Sequence, residues 1–193
     1  MDMRSLLKTY VLLILIIAAN HALADSWSAP TEMGFASPNS KYVLKVQPAK
    51  LNLETPPVAS IYEYTDDKYT RHVSFDLTNE WSPVFAVILD SGVVVTFDNW
   101  ASLGYGDNVV VFYSSGGELL KSYSLEQLYA PALFEKVNEN QTVSSTWWRC
   151  SSSRPWAHDN TVIVRDTIGG TFHFRSDGTF DYFETGGCIG IAG

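Results

Sequence analysis

The sequence predicts an all-β domain of three antiparallel four-stranded meanders with one short helical excursion, and three observations carry that prediction. Apolar runs rich in valine, phenylalanine and tyrosine recur between clusters of glycine, asparagine, aspartate and serine, the pattern of short strands joined by tight turns. Two- and three-residue turn signals of the hairpin kind separate them. Related runs return after about 50 residues, a period at which one supersecondary unit stacks on the next.

The clearest unit covers residues 83–125. Runs 84–89 and 93–97 flank Asp90, Ser91 and Gly92, where glycine supplies a positive backbone angle. A third run, 109–113, turns at Gly116 and Gly117 into a fourth, 118–123, in which Leu119 and Tyr123 alternate with polar neighbours. The first unit, 33–77, has a turn at Ser37, Pro38, Asn39 and Ser40 before the run 42–46, and Ser40 precedes Ser91 by 51 residues. A linker with Pro48, Pro56 and Pro57 follows, then runs 61–64 and 69–75 around Asp66 and Asp67. In the third unit, 143–184, Asp159, Asn160 and the run 161–164 echo Asp107, Asn108 and 109–112 at a spacing of 52, and Gly169 and Gly170 echo Gly116 and Gly117. The run 171–175 then turns through Ser176, Asp177 and Gly178 into 179–183.

Between the second and third units Ser124 reads as a helix N-cap, with Gln127 three residues later and Leu125 and Leu128 on one face. Pro131 divides the helical stretch into two short pieces ending near Val137. Residues 138–142 form a polar connection in which Asn140, Gln141 and Thr142 make a glycosylation acceptor in a eukaryotic source.

The amino-terminal residues 1–24 read as a secretory signal peptide: Arg4 and Lys8, the apolar run 11–19, and the small-residue site Ala22, Leu23, Ala24 before Asp25. The apolar run is about half the roughly 20 residues of a membrane span. Cleavage after Ala24 leaves residues 25–193 as a single domain, secreted or periplasmic, beginning with an extended arm anchored by Trp27. Net charge is −8, with basic residues scattered singly, which argues against nucleic acid or an anionic membrane as partner. Both cysteines, Cys150 and Cys188, lie beyond the leader, where a disulfide is expected ahead of a metal or catalytic pair.

Four-stranded meanders at this period resemble β-propeller blades, and residues 37–44, SPNSKYVL, are similar to the opening strand of such blades. Closed propellers use about four to eight blades. Three units therefore imply a partial propeller, a curled barrel or a sandwich. Residues 96–113, TFDNWASLGYGDNVVVFY, resemble a motif of uncharacterised secreted bacterial proteins in which TFDNW and GYGDN bracket a loop before a valine-rich strand. That resemblance implies export and a shared β fold and carries no activity.

The loop 98–108 is long for a meander, and long loops on rigid sheets tend to carry function. Trp100 and Tyr105 are candidates for an aromatic platform under a sugar ring or a peptide proline, with Gly104 and Gly106 permitting close backbone approach. Trp156 and His158 occupy the loop 154–160 of the third unit. The alternative is that these rings cover the sheet ends. Asp98 and Asp107, with Asn99 and Asn108, offer oxygen ligands of the kind calcium takes, although their spacing matches no calcium loop and Asx turns explain them as well. No serine elbow, paired-histidine helix, phosphate loop or dinucleotide fingerprint is present. His173 alternates with Phe172 and Phe174 on the opposite, solvated face; His158, beside Asp159, is the catalytic candidate. The expectation is a secreted or periplasmic recognition module, without a cofactor, that binds a protein, peptide or glycan through its aromatic loops. A small hydrolase using His158 with nearby aspartates, and a structural module pairing through a sheet edge, are the alternatives.

Overall fold

The computed structural model describes residues 27–50, 55–186 and 188. The leader expected at residues 1–24 and its cleavage site lie outside the described residues. The first sheet runs β1 (Met33–Ala36), β2 (Tyr42–Gln47), β3 (Val58–Thr65) and β4 (Lys68–Asp76), each strand antiparallel to the one before. The second follows as β5 (Pro83–Ile88), β6 (Val94–Asn99), β7 (Val110–Tyr113) and β8 (Leu119–Tyr123). Two short helices, α1 (Leu125–Leu128) and α2 (Pro131–Asn138), lead to the third sheet: β9 (Trp156–His158), β10 (Thr161–Arg165), β11 (Gly170–Arg175) and β12 (Phe180–Glu184). The molecule is thus all-β, three open four-stranded meanders. Among the described residues no helix is long and apolar enough to cross a membrane.

Turn chemistry sets the hairpins. Asp66 and Asp67 (φ 51° and 61°) join β3 to β4, and Asp159 and Asn160 (φ 45° and 60°) join β9 to β10. Two consecutive left-handed residues make the tight turn whose twist matches antiparallel strands, and Asp and Asn tolerate it best among residues with a side chain. The helical stretch starts as its residues dictate: the Ser124 backbone N–H donates to Gln127 Oε1 at 2.9 Å, and Pro131 opens α2, where a missing N–H costs nothing.

Two expectations need correction. The loop 154–160 is largely strand, because Trp156–His158 pairs with Thr161–Ile163 across the Asp159–Asn160 turn. The 52-residue echo is consequently out of register: Asp159 and Asn160 join the first strand of their sheet to the second, whereas Asp107 and Asn108 lead into the third strand of theirs. An Asp-Asn pair followed by β-branched residues is what any turn entering a buried strand uses, so the likeness reports local chemistry. The other correspondence holds in space. Ser37–Ser40 and Asp90–Gly92 both link first to second strands, and the Asn39 N–H donates to Asp90 Oδ1 at 2.9 Å, 51 residues away.

The middle sheet is covered on both faces, so β6 and β7 are buried along their whole length. Successive side chains of a strand point to opposite faces. Ala86, Ile88, Val94 and Val111 accordingly pack on Leu44, Val46, Ala59 and Ile61 of the first sheet. Val87, Val95, Phe97, Val110 and Phe112 pack on Val162, Val164, Phe172 and Phe174 of the third, with Leu125, Leu128 and Val137 of the helices closing that core. Each fully buried Val, Leu or Phe contributes about 1.5–3 kcal/mol relative to exposure. The first strand of the middle sheet, β5, neighbours the first strands β1 and β9 of the other two, which brings unpaired sheet edges to it from both sides.

Gly117, in the turn between β7 and β8, has φ +86°, and a Cβ there would lie 2.5 Å from Cδ1 of Phe75 on β4. Gly117→Ala therefore combines a left-handed backbone penalty with a clash between the first and second sheets. The expected loss is about 2–4 kcal/mol in urea unfolding.

Candidate functional site

Asp98, next to the last residue of β6, is in a left-handed conformation (φ 59°) and its carboxylate is buried. It has no solvent exposure, and donors from two directions satisfy it. Oδ1 accepts from Trp148 Nε1 at 2.7 Å and from the Gly104 N–H at 3.0 Å; Oδ2 accepts from Arg149 Nε at 2.7 Å. The Arg149 side chain is 11% exposed, so the pair is a nearly buried, charge-assisted bond. Both Asp98 oxygens are thus already engaged, and a cation there would have to displace Arg149. Asp107 is exposed, and its backbone carbonyl accepts from Ser122 Oγ at 2.6 Å.

This bond pins the segment between α2 and β9 to the middle sheet. Residues 147–150 also run beside the end of β10, where the Thr167 N–H donates to the Trp148 carbonyl at 3.0 Å and the Cys150 N–H to the Arg165 carbonyl at 2.9 Å. Trp148 is fully buried, its ring 6.0 Å from that of Phe172, while its neighbour Trp147 is 40% exposed. Cys150 and Cys188 are joined as expected, with Cα atoms 5.9 Å apart and a sequence separation of 38.

The pinned segment forms one wall of a cleft of about 760 Å³. Trp147, Asn140, Gln141 and Arg149 line it, with Glu139, Ser151, Ser152 and Thr167. Several of these groups are already oriented. Asn140 Nδ2 donates to Thr167 Oγ1 at 3.3 Å, Thr167 Oγ1 donates to the Trp147 carbonyl at 2.9 Å, and the Trp147 N–H donates to the Asn140 carbonyl at 3.2 Å. Tyr105 braces the rim: its hydroxyl donates to the Thr142 carbonyl at 3.1 Å and accepts from Gln141 Nε2 at 2.5 Å.

The residues singled out from the sequence go to separate places. Tyr105 stands behind the cleft, beside a smaller hollow with Gly104 and Gly106. Trp100 is half-buried edge-on against Trp27 at 4.9 Å, so it anchors the amino-terminal arm. Trp156 lies on the outer face of β9, cross-strand from Ile163 and beneath the Arg165 guanidinium at 5.6 Å. His158 is 68% exposed, with Nδ1 3.2 Å from Oδ2 of the still more exposed Asp159. Trp147 and Arg149 escaped sequence reasoning, and Asn140 and Gln141 were read only as part of a glycosylation acceptor. The adjacent pair Trp147–Trp148 was the available signal: the chain turns tightly there, with the Trp148 N–H donating to the Thr146 carbonyl at 2.9 Å, and one indole is buried while the other is 40% exposed.

A second buried carboxylate closes the third sheet. Asp166 Oδ1 accepts from the Ile168 and Gly170 N–H groups at 3.1 and 2.5 Å, and Oδ2 from the hydroxyls of Tyr129 and Tyr182 at 3.2 and 2.8 Å. Burial, and after it the Asp166 charge, push the Tyr129 phenol far above its ordinary value; burial and the hydrogen bond to Asp166 do the same to Tyr182.

No protein-family model matches the chain, and no curated protein sequence matches it.

Two outcomes are expected. Asp98→Asn leaves Arg149 without its counter-charge and destabilises the fold by about 3–5 kcal/mol in urea unfolding, with part of the loss recovered in Asp98→Asn, Arg149→Met. An unfolded tyrosine ionises near pH 10.0, while the native state keeps the Tyr129 and Tyr182 protons well beyond it. The native state then binds more protons than the unfolded state, so the stability from these phenols is intact below about pH 10 and is lost as pH rises above it. Phenolate absorbance should show Tyr129 and Tyr182, with the buried Tyr113, ionising only as the protein unfolds, and Tyr129→Phe should flatten the alkaline loss.

Proposed function

We propose that this protein is a secreted or periplasmic recognition module that binds a saccharide in the cleft around Trp147. The carrying observation is the juxtaposition of a 40% exposed indole with planar polar groups, Asn140, Gln141 and Arg149, along one wall. A sugar ring has an apolar C–H face and a rim of hydroxyls. An indole covers the first, and carboxamide and guanidinium groups satisfy the second with paired hydrogen bonds. Prior orientation of Arg149 by Asp98 and of Asn140 by Thr167 reduces the ordering cost of binding.

Binding fits the cleft better than hydrolysis. A glycosidase needs two carboxyl groups roughly 5–9.5 Å apart, and Glu139 is the one carboxylate among the lining residues. The exposed pair His158–Asp159 has no nucleophile hydrogen-bonded to it among the described residues. The expected leader and the Cys150–Cys188 bridge agree with an oxidising compartment. The neighbouring first strands and face-to-face sheets support a partial propeller as the architecture. The TFDNW and GYGDN resemblance is consistent with that scaffold, since Asp98, Gly104 and Tyr105 are the residues that hold the cleft wall.

Saccharide arrays followed by isothermal titration on the exported chain test this. Trp147→Ala should keep its circular dichroism and lose at least about ten-fold in affinity, as truncating an aromatic anchor does. Trp100→Ala and Trp156→Ala should bind as wild type. Full binding by a folded Trp147→Ala protein would move the site elsewhere.

A further inference from the structure

We infer that the saccharide is acidic, an oligosaccharide carrying uronate carboxylates; this rests on the saccharide reading above and specifies its ligand. Arg149 and Ser151 line a second hollow as well, about 480 Å³, so the two clefts adjoin at these residues. The second hollow lies where β1 meets β5, between Phe35 and Phe85, and Arg154 closes it. No carboxylate lines it, in a chain whose net charge is −8.

The two arginines differ electrically. Asp98 balances Arg149, which therefore offers its remaining N–H donors with little net charge. Arg154 is exposed, lies over the Phe85 ring at 6.0 Å, and has no ion-pair partner among the described residues. Its positive charge is the uncompensated one. A ligand with a ring on Trp147 and a chain passing Arg149 thus meets a fork of donors and then a free guanidinium, the geometry that selects carboxylates. The apolar walls Phe35 and Phe85, edge-on at 5.1 Å, lower the local dielectric around that contact.

Isothermal titration of the exported protein with an oligogalacturonate, with its methyl ester of equal length, and with a sulfated neutral oligosaccharide tests the inference. The acid should bind at least about ten-fold tighter than the ester, the value of a charge-assisted hydrogen bond. Added salt should shrink that preference while leaving ester binding unchanged. Arg154→Gln should abolish the preference without weakening the ester, Arg154→Lys should restore part of it, and Trp147→Ala should weaken acid and ester alike. Equal binding of acid and ester, a preference that survives Arg154→Gln, or selection of the sulfated chain over the uronate would overturn the acidic assignment and leave the saccharide site standing. Failure of every saccharide to bind would overturn both.

Discussion

A carboxylate with no access to water must be met by donors, and that constraint at Asp98 orders the rest of the molecule. An unpaired charge at such a position costs several kcal/mol, so the chain has to bring a cation and further N–H groups to it. Trp148 and Arg149 come from the segment that leaves the helices, and Gly104 comes from the loop that follows β6. Three parts of the chain are locked together by one side chain. The cleft wall follows from this: Trp148 is drawn inward, Trp147 beside it stays 40% exposed, and the Arg149 Nε is held on Asp98.

The carboxylate can be buried there because the middle sheet has no solvent face. Its neighbours on both sides remove water from β6 and β7, and the two cores meet only through that sheet. Asp166 repeats the solution in the third sheet with neutral partners, two phenols and two backbone amides in place of a guanidinium. Near it, the disulfide joins the cleft wall to the chain beyond β12. Buried carboxylates thus stitch the connecting segments to the sheets, a task that apolar packing alone does without directional control.

That division explains how the candidate site can be polar and still rigid. Its groups sit on an irregular connection, which on its own would pay a large entropy cost to order. Asp98, the Asn140–Thr167–Trp147 network and the Tyr105 hydroxyl remove that freedom before any ligand arrives. The converging edges of β1 and β5 add the second hollow, so the cleft continues from an irregular wall onto regular structure.

The strands, their order and most of their turns were determined by sequence alone, because alternation, β-branched runs and turn residues are local properties written within a few positions. Residues 83–125 were legible almost strand for strand, and the Ser124–Gln127 cap and the opening of α2 at Pro131 likewise. The disulfide was expected from two cysteines lying beyond a leader-like segment. What tertiary structure decided is which polar and aromatic residues share a place. Tyr105 and Trp100 read as one platform but separate, since one braces Gln141 and Thr142 while the other meets Trp27. Trp156 and His158 read as loop but belong to β9, whose pairing depends on a turn with two left-handed residues. Asp98 read as a ligand or an Asx turn, and its Arg149 partner is 51 residues away. Local rules fix where a side chain points along its strand; only packing among the three sheets brings Asp98, Trp148 and Arg149 together and leaves Trp147 facing the cleft.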